Sequence, residues 1–600
     1  MAIFDFIIIG GGTSGLVVAN RLSENPETKV LVLEAGDNYL ENQFVNLPAG
    51  WPTLLETGKD WDFTTAPQKG LNDRVMTLPQ GKALGGSSAI NSCVFTIPSQ
   101  ASINAWASLG NVGWDWKTLA PYFYKSHTLH KPSDADVEQL GLYNKLSTEG
   151  KSSGPIQVSF PSDLNSPFQK AWNETFDKLG YGFKGNIDNG TAVGAYSPPA
   201  AIDPTTKTRS YAAKTYYEPV KERTNLTVVT GAAVTKILFE GESPKLVAIG
   251  VEFAHEKTLK SYKASKEVIV AAGAIQSPKV LELSGIGSPN ILESYGIPVR
   301  VANANVGENL QDPIISGVSF EVADGIETID GLGRGEPEAL GKAMNEYMTT
   351  QSGPFGRAAV NSTSILPVNE LQTENGREEI HKLLNTAHPA APTDPAYHKV
   401  VRPLIEDPEQ GSGLLFMYSA QANFGANSAK GLALAEMPEN FVTVSAMLLN
   451  PLSTGHVHIS SANPDDMPAL DFKYLTHPLD ADLMARHIQL LDKITTTEPF
   501  VSLLKPNGKR NKMYAPWKGL EDVKQYIRKT ALSNWHPVAT CSMLPKENGG
   551  VVGTDLVVYG VKNLRVVDAS IMPLSPRSNI QSAVYAVAER AADIIKSAYQ

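Results

Sequence analysis

The chain has 600 residues, 42% hydrophobic and 19% charged; that length exceeds what one hydrophobic core normally serves and predicts at least two globular domains. Its formal net charge of −10 argues against nucleic acid and anionic membranes as main partners, because both select basic patches. No apolar run approaches bilayer-spanning length, and the two cysteines, Cys93 and Cys541, are too few for a disulfide scaffold or a cysteine-rich zinc site.

The first predicted element is a short buried strand over residues 4–9, Phe-Asp-Phe-Ile-Ile-Ile. It lacks the basic flank, longer apolar stretch and cleavage site of a signal peptide. The chain therefore begins at the mature fold, which implies a cytoplasmic protein if nothing precedes it and a secreted one if a leader has been removed. Four Asn-x-Ser/Thr sequons, at Asn173, Asn189, Asn225 and Asn361, are about as many as chance supplies and say little about secretion.

The strand runs into Gly10-Gly11-Gly12-Thr13-Ser14-Gly15, after which Leu16, Val17, Ala19 and Leu22 mark a helix; a second apolar strand, Val30 to Leu33, ends on Glu34. Strand, glycine turn, helix, strand and acid in this order form a dinucleotide-binding fingerprint. Gly10 permits the turn, Gly12 lets the backbone approach a pyrophosphate, and Gly15 lets the helix pack closely. Thr13 and Ser14 open the helix, whose free N–H groups and dipole favour phosphate. Glu34 is placed for a ribose diol. The fingerprint alone does not separate FAD from NAD.

Further along, residues 79–92 carry Gly85, Gly86, Ser87, Asn91 and Ser92 in a second glycine/serine loop able to cradle a phosphate or a ring edge. Val268 to Gln276 reads as a strand running into Ala271-Ala272-Gly273-Ala274, followed by Leu283-Ser284-Gly285-Ile286-Gly287. Residues 370–410 are polar and proline-containing without clear periodicity, as in an insertion or lid loop. Near the end stand Trp535-His536-Pro537, a strand closing on Asp568-Ala569-Ser570, and a helical stripe of Ile580, Val584, Val587, Ala591 and Ile594. Asn579 directly precedes that stripe as a good N-cap.

Together these motifs resemble the glucose–methanol–choline oxidoreductases over almost the whole length, most strongly in 10–36, 81–92, 273–287 and 535–593. Val306-Gly307-Glu308-Asn309-Leu310-Gln311-Asp312 resembles another family segment, with Pro313 where the family usually has His. The resemblance implies an α/β, Rossmann-like FAD-binding domain assembled discontinuously from 1–155, 226–312 and 531–600. It implies an α+β substrate domain with an antiparallel sheet from 156–225 and 313–530. Pro451 to Ile459 fits a strand of that second domain by its alternation.

The implied reaction is oxidation of a small or medium primary alcohol, aromatic and furanic ones included, with oxygen or another electron acceptor. A base must take the hydroxyl proton while the flavin takes a hydride, and histidine suits that task. His536 stands at the family's catalytic histidine, with Ala539 where glycine is common. Asn579 falls at the second polar position opposite it. Trp535 joins these two in lining the substrate pocket. By the same resemblance Asn91 and Ser92 flank the reactive ring edge, Asp568, Ala569 and Ile580 lie along the cofactor, and the Val234 backbone meets adenine. Covalently flavinylated members carry His where this chain has Ile90, so non-covalent FAD is expected. His456 and His458 share a strand face; with no third ligand spaced nearby they read as solvated strand residues rather than a metal site. Lys82 and Arg565 read as surface or ion-pair residues. The competing reading is a lyase or cyclase of the same fold that keeps FAD as a structural element. The sequence leaves the oligomeric state open.

Overall fold

The computed structural model describes residues 2–142, 152–161, 166–385 and 395–599. Among these, most strands gather in two sheets. The first has eight strands and is mixed: Val561–Lys562, Leu246–His255, Thr258–Val270, Ile3–Ile9, Val30–Leu33 and Leu226–Val229 lie side by side, with Leu564–Val566 and Ala232–Glu240 attached. The strands around Ile3–Ile9 are parallel, and Ile9 stands opposite both Leu33 and Val270. Three strand ends therefore finish level. Such a row of carboxyl ends opens the crevice in which α/β sheets bind ligands. Ile7, Ile8 and Val30 to Val32 are completely buried, as expected of continuous apolar runs in a sheet covered on both faces.

The second sheet is antiparallel and six-stranded, in the order Leu532–Ser533, Ile314–Glu321, Phe441–Leu448, Gly413–Tyr418, Ser362–Leu366 and Gly194–Tyr196. The helix Pro478–Thr495 packs on it. Thr363, Phe416, Ser445 and Gly317 are paired in one row across four neighbouring strands, so their side-chain positions share a face. Alternation then puts Leu414 and Tyr418 on that face with Phe416.

Three expectations are corrected. Residues 370–410 hold two helices, Glu374–Asn385 and Pro395–Glu406, rather than a structureless lid; residues 386–394 lie outside the described part. Ile380 in the first helix, and Tyr397, Val401 and Ile405 in the second, are buried. Their helical spacing was obscured in the sequence by Pro395 and Pro403. Secondly, the strand His456–His458 pairs with Ala469–Asp471 in a separate ribbon, outside the six-stranded sheet. His458 is not solvated: it is buried between Glu282, 2.7 Å from Nδ1, and Glu308, 3.0 Å from Nε2. Thirdly, the final helix is Gln581–Ser597 with Ile580 at its N-cap and no side-chain cap. Asn579 lies one residue too early to cap it, and its polar atoms turn elsewhere.

Both cysteines are buried and unbridged. No helix among the described residues is long and apolar enough to cross a membrane.

Candidate active site

A cavity of about 530 Å³ lies between the level strand ends of the first sheet and the open face of the second. Gly10, Gly12, Thr13, Ser14, Glu34, Ser87, Asn91, Ser92 and Val234 all line it. So do Trp535, His536, Asp568, Ala569, Asn579 and Ile580. Two glycines singled out in the sequence do not reach it. A Cβ on Gly15 would lie 1.9 Å from the Gly10 carbonyl oxygen, and one on Gly85 would lie 2.8 Å from the Tyr211 ring. Both serve the packing that shapes the wall.

The fingerprint end suits a dinucleotide. Gly10 adopts φ +103°, a conformation glycine takes without steric cost. The helix Thr13–Leu22 starts with no side-chain cap, and the buried Ser14 hydroxyl has no partner among the described residues; donors left open at a helix start are an anion site. Glu34 accepts from the Gly11 N–H at 2.7 Å and the Gly36 N–H at 2.8 Å. Burial pushes its carboxyl up to about 7 against those two bonds. Asp568 accepts from the Gly273 N–H at 2.9 Å, the Ser277 hydroxyl at 2.5 Å and the Ser570 N–H at 2.8 Å, tying the next loop to the crevice. Lys82 lies with its ammonium 4.8 Å from the Trp61 ring centre, while Arg565 makes a buried ion pair with Glu267 at 2.7 Å.

At the other end the His536 backbone N–H donates to Asp312 Oδ1 at 2.7 Å, and the Ser533 hydroxyl donates to Asp312 Oδ2 at 2.6 Å. Tyr474 donates to the same carboxylate. Trp535 takes φ 57° and Ala539 φ 77°, the left-handed region that explains why glycine is common at the latter position. Burial lowers His536 to about 4, so the imidazole is neutral near pH 7. Its Nδ1 lies 3.1 Å from the Asn534 amide nitrogen. Asn579 shares the cavity, its backbone N–H donating to the Thr96 hydroxyl at 3.1 Å.

Several residues of this site were not singled out in the sequence. Arg209 is buried and donates to Asn91 Oδ1 at 2.8 Å, and the Asn91 amide donates to Gln581 Oε1 at 2.9 Å. The far wall is mostly apolar, built by Trp51, Phe63, Ile315, Leu414, Phe416 and Phe424, with the hydroxyl residues Thr363, Tyr418 and Ser445 among them. No local motif marks these positions; only the alternation of 414, 416 and 418 along one strand carried a signal.

This fold, with a fingerprint crevice that shares its cavity with a neutral, half-buried histidine, defines an FAD-dependent oxidoreductase. The chain belongs to the GMC oxidoreductase family, whose N-terminal model matches residues 4–315 and whose C-terminal model matches 451–588. It is 36% identical over 618 residues to "Dehydrogenase citC" of Monascus ruber, covering 99% of this chain and 96% of the relative. It is 33% identical over 603 residues to the "GMC oxidoreductase family protein Mala s 12" of Malassezia sympodialis, covering 99% and 92%. Among solved structures it resembles an FAD-dependent oxidoreductase from Chaetomium thermophilum, with a TM-score of 0.87 and 29% identity over 99% of each chain. It also resembles a fungal aryl-alcohol oxidase, with a TM-score of 0.81 and 27% identity over 99% of each.

Proposed function

We propose that the protein oxidises a small or medium primary alcohol of aromatic or furanic character, with His536 as the general base. The observation that carries this reading is the composition of this cavity: a neutral, half-buried imidazole shares it with the dinucleotide fingerprint and with Phe416, Phe424, Ile315 and Leu414. A mostly apolar wall with only Thr363, Tyr418 and Ser445 as hydroxyl groups offers few partners to a polyhydroxyl substrate, whose unpaired hydroxyls would lose hydrogen bonds to water.

The residues fit FAD in five respects. Gly10, Gly12, Thr13 and Ser14 would take the pyrophosphate and Glu34 the ribose. Val234 would meet the adenine. Asp568 and Ala569 would lie along the linking chain. Ser87, Asn91, Ser92 and Ile580 would border the ring. The chemistry that a bound FAD supplies here is acceptance of a hydride. Ile90, buried on the cavity wall, offers no nucleophile for a covalent link, which supports non-covalent binding. The two sheets support the division into an FAD unit of 1–155, 226–312 and 531–600 and a substrate unit of 156–225 and 313–530, although the strand Leu532–Ser533 pairs within the second sheet.

In this mechanism His536 accepts the hydroxyl proton of the alcohol, and its burial keeps the ring free of a competing proton. Asn579 donates a hydrogen bond to the same substrate oxygen as negative charge grows on it. Trp535 and the apolar wall orient the carbon that loses hydrogen and exclude water. The electrons leave to oxygen or another acceptor. Anaerobic mixing with a panel of alcohols tests the reading. Bleaching of the flavin by benzylic or furanic alcohols is expected; no bleaching by any alcohol would overturn it.

A further inference from the structure

We propose that Thr96 is a positioning residue that fixes which end of the Asn579 side-chain amide faces the cavity, a role that rests on the reading of Asn579 as a donor to the substrate oxygen. Thr96 is 1% exposed and lines the cavity. Its hydroxyl accepts the backbone N–H of Asn579 at 3.1 Å across 483 residues of sequence. A hydroxyl carries one proton, and Asn579 Oδ1, 3.4 Å away, is an acceptor within its reach. The Thr96 carbonyl is held in turn by the Ser582 hydroxyl at 2.6 Å, so the segment cannot easily slide along the start of the final helix.

The consequence is one of polarity. An asparagine side chain presents an acceptor at one end and two donors at the other. With Oδ1 turned to Thr96, the Nδ2 group is the end that no described residue engages. A substrate oxygen approaching an alkoxide then meets donors. With the amide reversed it would meet a second lone pair, which repels the growing charge. Thr96 thus acts through Asn579 and transfers no proton itself.

Five proteins test this: the holoenzyme with the natural sequence, Thr96→Val, Thr96→Ser, Asn579→Ala and the Thr96→Val/Asn579→Ala double variant. Flavin reduction by 4-methoxybenzyl alcohol is followed by anaerobic rapid mixing, and the dissociation constant of 4-methoxybenzoate is read from the flavin absorbance. Thr96→Val is expected to slow reduction about 10-fold, the worth of one hydrogen bond, and to weaken binding of the carboxylate. Thr96→Ser should restore both. In the Asn579→Ala background Thr96→Val should change nothing further, because the group it positions is gone. Equal slowing in both backgrounds, or no slowing in either, overturns the positioning role. A natural reduction rate in Asn579→Ala instead overturns the substrate contact of Asn579. If neither probe reacts or binds, high-resolution crystal structures of the natural protein and Thr96→Val decide: a rotated Asn579 amide in the variant supports the role, and an unmoved one overturns it.

Discussion

The carboxylate of Asp312 accepts the backbone N–H of His536 at 2.7 Å, across 224 residues of sequence. With Ser533 and Tyr474 donating to it as well, Asp312 fixes the turn on which the imidazole is mounted. Asp312→Ala leaves three donors unmatched, two of them buried, which is expected to cost about 2–4 kcal/mol of stability and to slow catalysis by loosening the proposed base. Burial pushes the Asp312 carboxyl up to about 6 despite these bonds. The folded state thus holds this proton more tightly than the unfolded chain. The contribution of Asp312 to stability falls as pH rises from about 4 to about 6 and is level above. Urea unfolding at several pH values, compared among the natural protein, Asp312→Ala and Asp312→Asn, measures the stability cost and its pH dependence, and flavin reduction by Asp312→Ala measures the slowing.

His536→Ala should retain FAD and reduce it about 10²–10⁴-fold more slowly with substrate. Because burial lowers His536 to about 4, reduction by the natural protein should fall only on the acid side, as pH drops towards that value, and remain level near neutrality. That acid limb should vanish in His536→Ala. Natural reduction rates in the variant would remove His536 from the mechanism.

Acid precipitation should leave a colourless pellet and FAD in the supernatant, in keeping with Ile90 at the position where a covalent link would need a nucleophile. Flavin that stays with the pellet would count against a dissociable cofactor.

The His458 cluster predicts an alkaline weakening. Burial disfavours the charged ring, but hydrogen bonds with Glu282 and Glu308 raise His458 from 6.5 to about 9. Its stabilising contribution is complete below about 6.5 and is lost as pH rises through about 9. Unfolding between pH 7 and 10 should show this loss, and His458→Gln should flatten the change while lowering stability near neutrality. An unchanged slope in the variant would assign the effect elsewhere.

Phe416→Ala opens the apolar wall and should raise KM for a benzylic alcohol about 5–30-fold, with a smaller change in kcat, because it removes contacts made equally in the ground and transition states. Steady-state kinetics with a benzylic alcohol and with a sugar give the comparison; equal changes for both would place Phe416 outside substrate recognition.

By itself the sequence determined those parts of this protein that obey local rules. The run of Ile7 to Ile9, the turn that needs Gly10, the helix opening at Thr13 and the acid at Glu34 lie within one short span, where each residue's backbone preference reports directly on its role. The order of the later glycine, Trp-His-Pro and Asp-Ala-Ser motifs was legible for the same reason, and His536 and Asn579 could be named from it. The tertiary structure decided what those residues touch. Asp312 read as part of a linear motif but serves as the support of the histidine loop. Thr96 carried no signal until the fold laid it against Asn579. His458 looked like a solvated strand residue until Glu282 and Glu308 closed on it. In each case the partner lies more than a hundred residues away, and neither periodicity nor spacing encodes a contact made only when two sheets and their connecting loops pack together.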